Sequence, residues 1–323
     1  MMTDHPQICL APLRGLTGAI FRNTYVDYFD GIDWAVGPFL TTFGPGRIKA
    51  SQVTEMLPEN NAKMPVVPQI LSKTADHFIA LAKILIDLGY DTINWNLGCP
   101  FPRVAQKMRG SGLLPHPERV DAFLEKVLGV LPGHISVKAR LGRQRPDEIF
   151  ELLSVFNRFP IKELIIHPRT GVQMYTGQPD LNTFEKCLAL CRCTVIYNGD
   201  INSRADFEKL RQRFPTVHTW MIGRGAVSNP FLPGHIKGYP LPADSIERFR
   251  RFHDTLFARY AQVRSGPAHL VDSMKGYWGY FARSFAQGEM LLKQVHKTQH
   301  PDQYRPLVAR FFDQEAHGNH FSN

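Results

Sequence analysis

The thiol of Cys99 sits in the segment Asn94-Trp95-Asn96-Leu97-Gly98-Cys99-Pro100, directly after a run that reads as a buried strand, Thr92 to Leu97. A Gly-Cys-Pro turn at a strand's carboxyl end is where a parallel barrel gathers reactive groups around a ligand. Free cysteines are most often packing residues, so this one gains meaning from what stands at the ends of the other runs. The first ends in Ala11-Pro12-Leu13, the third in Gln69, the fourth in Asn96 and Cys99. Lys138 and Arg140 close the fifth, and His167 and Arg169 the sixth. The seventh ends in Asn198-Gly199-Asp200 and the eighth in Gly223-Arg224-Gly225.

Lys138 and Arg140 are two apart and therefore point the same way from a strand. Lys, Arg, His and Arg at adjacent strand ends call for an anion, because burying unpaired cations is costly. Gly199, Gly223 and Gly225 let backbone amides approach a ligand closely, although tight turns alone would also use them. Barrels often bind a phosphate at the loops after strands seven and eight, with helix N-termini behind it. A phosphate on one side of the mouth, with a Lys and a His across the rest, suits an extended mononucleotide such as FMN. The cations would face the pyrimidine edge of the flavin, where negative charge gathers on reduction.

The elements that must position these groups alternate. β-rich runs fall at Ile8–Leu13, Trp34–Thr42, Pro65–Leu71, Thr92–Leu97, Ile135–Leu141, Glu163–His167, Thr194–Tyr197 and Thr219–Ile222. Most are near-continuous in apolar residues, as parallel strands covered on both faces should be. Amphipathic helical patterns lie between them at Thr74–Leu88, Pro117–Leu131, Pro146–Asn157, Asn182–Cys191 and Ser203–Arg213. Asn182 and Ser203 read as N-caps, and Pro117 and Pro146 as first-turn residues. The alternation predicts an α/β fold, a (β/α)8 TIM barrel, with an open doubly wound sheet as the competitor. Residues 43–63 read as a long excursion after the second strand. Beyond Lys237-Gly238-Tyr239-Pro240-Leu241-Pro242 no β-rich run remains. Ser245–Val263, Ala268–Phe285, Met290–Lys297 and Gln303–Gln314 read as a small C-terminal all-helical bundle, ending in a frayed tail from Gly318. The expected division is residues 1–238 for the barrel and 244–323 for the bundle.

The chain has 323 residues, enough for one large and one smaller domain, and a formal net charge of +9, which fits either a merely basic protein or one with a polyanionic partner. Five cysteines at irregular spacing argue for a reducing compartment over a disulfide framework. Cys9 reads as core; Cys187, Cys191 and Cys193 lack a fourth nearby ligand, so no metal is expected. The opening Met1–Pro6 shows no signal-peptide pattern, and no apolar run is long enough to span a bilayer. A cytoplasmic protein is the expectation, with no membrane and no obligate protein partner.

Seven segments in order, APLRGLTG, VVPQIL, NWNLGCP, VKARLG, IIHPRTGVQMYTG, VIYNGDI and MIGRGAVSNP, resemble the tRNA-dihydrouridine synthases over residues 8 to 231. The resemblance implies an FMN-dependent barrel with a helical C-terminal domain that reduces uridines in tRNA, with NADPH as reductant. Its flavin contacts fall on Ala11, Pro12, Leu13, Gln69, Lys138, His167, Asn198, Gly199, Asp200, Gly223 and Arg224, and its catalytic thiol on Cys99. Asn96, Arg140 and Arg169 are expected to face the substrate. The loop 106–114 ends in small residues, as the family's substrate loop does. Leu13, Arg14, Trp95 and Pro168 depart from the family's usual residues without removing a catalytic group.

Hydride reaching uracil C6 leaves charge that builds toward C5, and a proton must then arrive from the face opposite the flavin. A thiol with a pKa of about 8.5 is mostly protonated at neutral pH and still acidic enough to donate. In the bundle, Lys275 and Arg283 are eight apart, roughly on one helical face, and are expected to meet RNA; Trp278 and Phe281 read as core. Two other readings stay open: an FMN barrel acting on a free pyrimidine or small enone, and an RNA-binding homologue without turnover.

Overall fold

The computed structural model describes residues 5–42 and 50–318. The start of the Met1–Pro6 segment, the first part of the 43–63 excursion and the tail beyond Gly318 lie outside the described residues. Ten strand segments form one sheet in which every neighbouring pair is parallel. They are β1 Gln7–Leu10, β2 Trp34–Val36, β3 Leu40–Thr41, β4 Val66–Val67, β5 Gln69–Leu71, β6 Thr92–Leu97, β7 His134–Gly142, β8 Glu163–Thr170, β9 Thr194–Tyr197 and β10 Thr219–Ile222.

The eight expected runs become ten because the second and third are each interrupted. Pro38 lies between β2 and β3, and Pro68 between β4 and β5; neither has an N–H to give to a ladder. The halves still pair in step, β2 with β4 and β3 with β5. The order β3-β5-β6-β7-β8-β9-β10-β1-β2-β4 thus begins and ends on halves of the same two runs, and the sheet closes on itself as a TIM-type barrel. β1 stops at Leu10, short of the expected Leu13, because Pro12 follows. β7 and β8 run longer than expected. Their register shifts between Arg140 and Gly142, where Pro168 leaves one extra residue on β8. That irregularity re-aims the chain beside Arg140 and His167.

Helices cover the sheet. Ser203 caps the helix Arg204–Arg213 in a capping box with Asp206. Pro117 is the first residue of Pro117–Leu128. Two cap expectations are corrected. Asp180, not Asn182, caps Leu181–Leu190, since its Oδ1 accepts from the Thr183 amide at 2.9 Å. Pro146 stands before Asp147 and the helix Glu148–Phe156, outside its first turn.

The C-terminal segment is helical throughout: Ser245–Val263, Pro267–Phe281, Gly288–Val295 and Pro301–Gly318, with a 3-10 turn at Ala282–Ser284. That turn ends the helix expected to reach Phe285, and Arg283 therefore leaves the helical face that carries Lys275. The bundle is not a separate oil drop. Phe21, on the first barrel helix Ala19–Tyr28, stacks on Tyr277 with ring centroids 5.7 Å apart and meets Phe252 edge-on at 5.8 Å. Ser284 Oγ donates to the Ser228 carbonyl at 2.6 Å, and Arg259 reaches Asp27 at 2.7 Å. One continuous apolar cluster includes Phe21, Trp95, Phe252, Tyr277 and Trp278. Trp95, the large residue inside β6, is accommodated by stacking on Phe123 at 3.8 Å. Among the described residues no helix is long and apolar enough to cross a membrane.

Candidate active site

A cavity of about 820 Å3 opens at the carboxyl end of the strands. Ala11, Pro12, Leu13, Asn96, Cys99, Lys138, Arg140, His167, Asn198, Gly199, Asp200, Gly223 and Arg224 all line it, as does Arg283 from the helical segment. Gln69, Arg169 and Lys275 do not.

Cys99 is built by its neighbours. Asn96 Oδ1 accepts from the amides of Gly98 at 3.1 Å and Cys99 at 2.9 Å, which folds the turn. Asn96 Nδ2 donates to Gln69 Oε1 at 2.6 Å, and Gln69 Nε2 donates to Asn94 Oδ1 at 2.7 Å. Gln69 is fully buried and braces Asn96. Ser111 amide and hydroxyl both donate to the Cys99 carbonyl at 3.0 Å. Gly110 has a φ of +56°, and a Cβ there would come within 2.8 Å of Cys99 Cβ, so the loop 106–114 lies directly on the thiol's backbone. Burial pushes the Cys99 thiol up, against the opposing pull of Arg140, Arg14 and Lys138. It is held as a thiol at neutral pH.

Across the cavity the charge is one-sided. Among the described residues, Arg14, Arg103, Lys138, Arg140, Arg224 and Arg283 line it, against the single carboxylate of Asp200. Burial, then Arg140, pulls Lys138 down to about 7. His167 is driven well below the usual range by burial and by Arg140, Lys138, Arg169 and Arg224. Burial would raise Asp200, but its pairs with Arg169 and Arg224 hold it below the ordinary range. Arg140 is anchored by donating to the carbonyls of Gly98 at 3.0 Å and Thr170 at 2.8 Å. Such a site is incomplete without an anion. Two glycines of the last two turns are fixed by packing: a Cβ on Gly199 would stand 2.1 Å from Tyr197 Oη, and one on Gly225, which does not line the cavity, 2.0 Å from the Ile201 carbonyl. The expected helix N-terminal help is partly spent, since Ser203 and Asp206 already satisfy the start of Arg204–Arg213.

Arg169 and Lys275 lie off the cavity, while Arg283 reaches it. Arg169 is 1 % exposed and sits behind His167 and Asp200. Lys275 pairs with Asp272 at 3.2 Å. Arg283 packs its guanidinium over Tyr280 at 5.3 Å, and both reach the cavity. Tyr175, Phe39 and Phe101 also line it, and sequence reasoning gave none of them a role. Tyr175 lies between Arg140 at 5.3 Å and Arg224 at 5.1 Å. Its one sequence signal was its place in the loop after His167-Pro168-Arg169. Among the described residues no cluster of side chains could hold a metal ion.

The family described as Dihydrouridine synthase (Dus) matches residues 9–310. The chain belongs to that family. As a member it is a flavin-dependent oxidoreductase. It is 27% identical over 316 residues to a tRNA-dihydrouridine(16) synthase of Neisseria meningitidis serogroup B, covering 94% of each chain. It is 29% identical over 231 residues to a probable tRNA-dihydrouridine synthase of Rhodobacter capsulatus, covering 70% of this chain and 69% of that one. Among solved structures it is similar to the old yellow enzyme homologue of Zymomonas mobilis, with a TM-score of 0.54, 15% identity, and 75% of this chain and 92% of that chain covered. Morphinone reductase in complex with tetrahydroNAD aligns with a TM-score of 0.52 at 11% identity, over 76% and 90% of the two chains. These two likenesses concern the barrel fold.

Proposed function

We propose that this chain binds FMN non-covalently at the barrel mouth, draws on NADPH, and reduces the C5=C6 bond of a uridine in tRNA, with Cys99 as proton donor. One observation carries the reading: a buried, protonated thiol faces a cavity whose wall is strongly cationic and holds a single carboxylate. The cation excess fits a phosphate-bearing ligand. When bound, FMN supplies the hydride for uracil C6. Lys138, His167 and Arg224, with the turns at Ala11-Pro12-Leu13, Asn198-Gly199-Asp200 and Gly223, orient and counter-charge it. Lys138 in the protonated form answers negative charge at the ligand's edge. Gln69, buried behind Asn96, supports that wall without facing the cavity.

Asn96 holds the Gly98-Cys99 turn so that the thiol faces into the cavity beside these cations. The sulfur's proton passes to C5, and the thiolate left behind is stabilised by Arg140, Arg14 and Lys138, the same groups that pull the thiol's pKa down. Residues 1–238 carry this chemistry. Residues 244–323 hold the tRNA, and Tyr280 and Arg283 bring that segment to the cavity's edge, which favours RNA over a free pyrimidine.

The test is to purify the chain, measure its flavin, and supply unmodified tRNA and NADPH. Bound FMN and dihydrouridine in the product RNA are expected. A colourless protein that takes up no FMN on reconstitution would overturn the cofactor reading. Reduction of free uridine at the rate of tRNA would overturn the substrate.

A further inference from the structure

The helix Leu181–Leu190 ends in a three-cysteine segment that the reaction does not use. Cys187 is fully buried in the core, while Cys191 and Cys193 are half-exposed. Their sulfurs lie 3.4 Å apart. The reason is local: Cys191 leaves the helix with φ −78° and ψ 136°, and the chain bends at Arg192 and Cys193 before β9 begins, which brings the two side chains together. Asn157 fixes the turn from outside. Its Oδ1 accepts from the Arg192 amide at 2.9 Å, and its Nδ2 donates to the Leu190 carbonyl at 2.8 Å. Both flanks of Cys191 are thereby clamped, and the pair is held ready at the amino end of β9. The cavity residues Asn198, Gly199 and Asp200 follow the opposite end of that strand.

We propose that Cys191 and Cys193 are a reactive vicinal dithiol that closes reversibly to a disulfide by exchange with small-molecule disulfides of the glutathione type. The hydrogen bond from Cys193 lowers the Cys191 thiol to about 7, and the same contact raises that of Cys193. With that direction of shift, Cys191 is the attacking sulfur of the proposal. Its thiolate forms a bond to one sulfur of the oxidant, whose S–S bond breaks and releases one thiolate. Cys193 then gives up its proton, attacks the Cys191 sulfur of the mixed disulfide and expels the second thiolate. Two protein thiols become one disulfide, and one oxidant disulfide becomes two thiols, which take up the two protons. The ring closes over a single residue, so little chain entropy stabilises it and thiols reopen it readily. Cys187, buried and pushed up to about 12, stays out of the exchange.

Arg192 between the two cysteines makes the test direct. The native full-length protein is incubated with oxidised glutathione near neutral pH, remaining thiols are alkylated, and the chain is cut with trypsin after Lys186, Arg192 and Arg204. The disulfide should join fragments 187–192 and 193–204 into one mass that separates on reduction. In Cys193→Ser the reaction should stop at glutathione attached to Cys191. In Cys191→Ser the rate of thiol loss from this segment should fall by about tenfold or more. Both cysteines remaining alkylatable, a stable glutathione adduct on the wild type, or a disulfide confined to fragment 187–192 would each overturn the proposal.

Discussion

Arg169 Nη1 lies 3.1 Å from His167 Nε2. A guanidinium only donates, so Nε2 accepts and the imidazole proton resides on Nδ1. Arg169 is itself locked by Asp200 and by the carbonyls of Thr176 at 3.2 Å and Gly177 at 2.7 Å. Arg169, expected at the substrate, is buried and touches His167 and Asp200. Arg169→Met should leave Asp200 with one partner fewer and release the imidazole. Asp200 is partly exposed and keeps Arg224, so the loss should fall short of the about 3–5 kcal/mol of a fully buried pair. Flavin should be lost on desalting, the melting temperature should drop, and nitrogen NMR should show a mixed His167 tautomer. A variant that keeps its flavin and melts with the wild type would remove Arg169 from this role.

Cys99→Ala should retain flavin and be reduced by NADPH at an unchanged rate, yet make dihydrouridine about 100- to 10,000-fold more slowly. Because burial raises this thiol, the wild-type substrate step should stay level through neutral pH and fall only in the alkaline range, as the donor loses its proton. Stopped-flow traces of the two half-reactions separate these effects. A wild-type rate in Cys99→Ala would make the residue a packing group.

Lys138 links the site to stability with an unusual sign. In the folded, ligand-free protein it titrates at about 7, while an unfolded lysine titrates near about 10.4. Between those values the unfolded chain binds the extra proton, so this group's contribution makes stability rise with pH. Below about 7 its penalty is fully present. Lys138→Met should flatten that rise in the flavin-free protein and raise its neutral-pH stability by on the order of a few kcal/mol, while weakening FMN retention. Denaturant curves from pH 6 to 10, roughly spanning the window, check the first claim. Calorimetry of FMN binding at mildly alkaline pH should show proton uptake in the wild type and less in the variant.

For RNA, Arg283 should matter more than Lys275, because Arg283 reaches the cavity while Lys275 is held by Asp272. Reversing both charges should raise the KM for tRNA and flatten the salt dependence of binding, with Arg283→Glu alone producing most of the change. Arg248 and Arg251 are already paired with Asp244, so their reversal should do less. Binding measured across a salt series distinguishes the four positions. An unaltered slope in the Lys275 and Arg283 double variant would place the RNA path elsewhere.

The barrel was legible because parallel strands advertise themselves as apolar runs; β6, β9 and β10 keep the expected bounds. The breaks at Pro38 and Pro68 were visible too, but a proline in a run does not say whether the strand ends or resumes. Strand-end logic found most of the cavity wall, since alternation decides which side chains reach the mouth. It could not separate His167 from Arg169, which share a parity. Only packing puts one at the surface of the cavity and the other behind it. Tyr175 and Phe39 escaped because aromatic residues in loops give no periodic signal. Arg283 escaped its expected face because helix termination at Phe281 is a tertiary outcome, fixed where Ser284 meets Ser228.

The aromatic seam of Phe21, Phe252 and Tyr277 has a consequence for target choice. Moving the helical segment against the barrel would have to open the ring contacts that Phe21 makes with Phe252 and Tyr277. On the proposed reading, in which RNA rests on that segment, the joint acts as a gauge: the nucleotide that meets Cys99 is the one lying at the reach these contacts set.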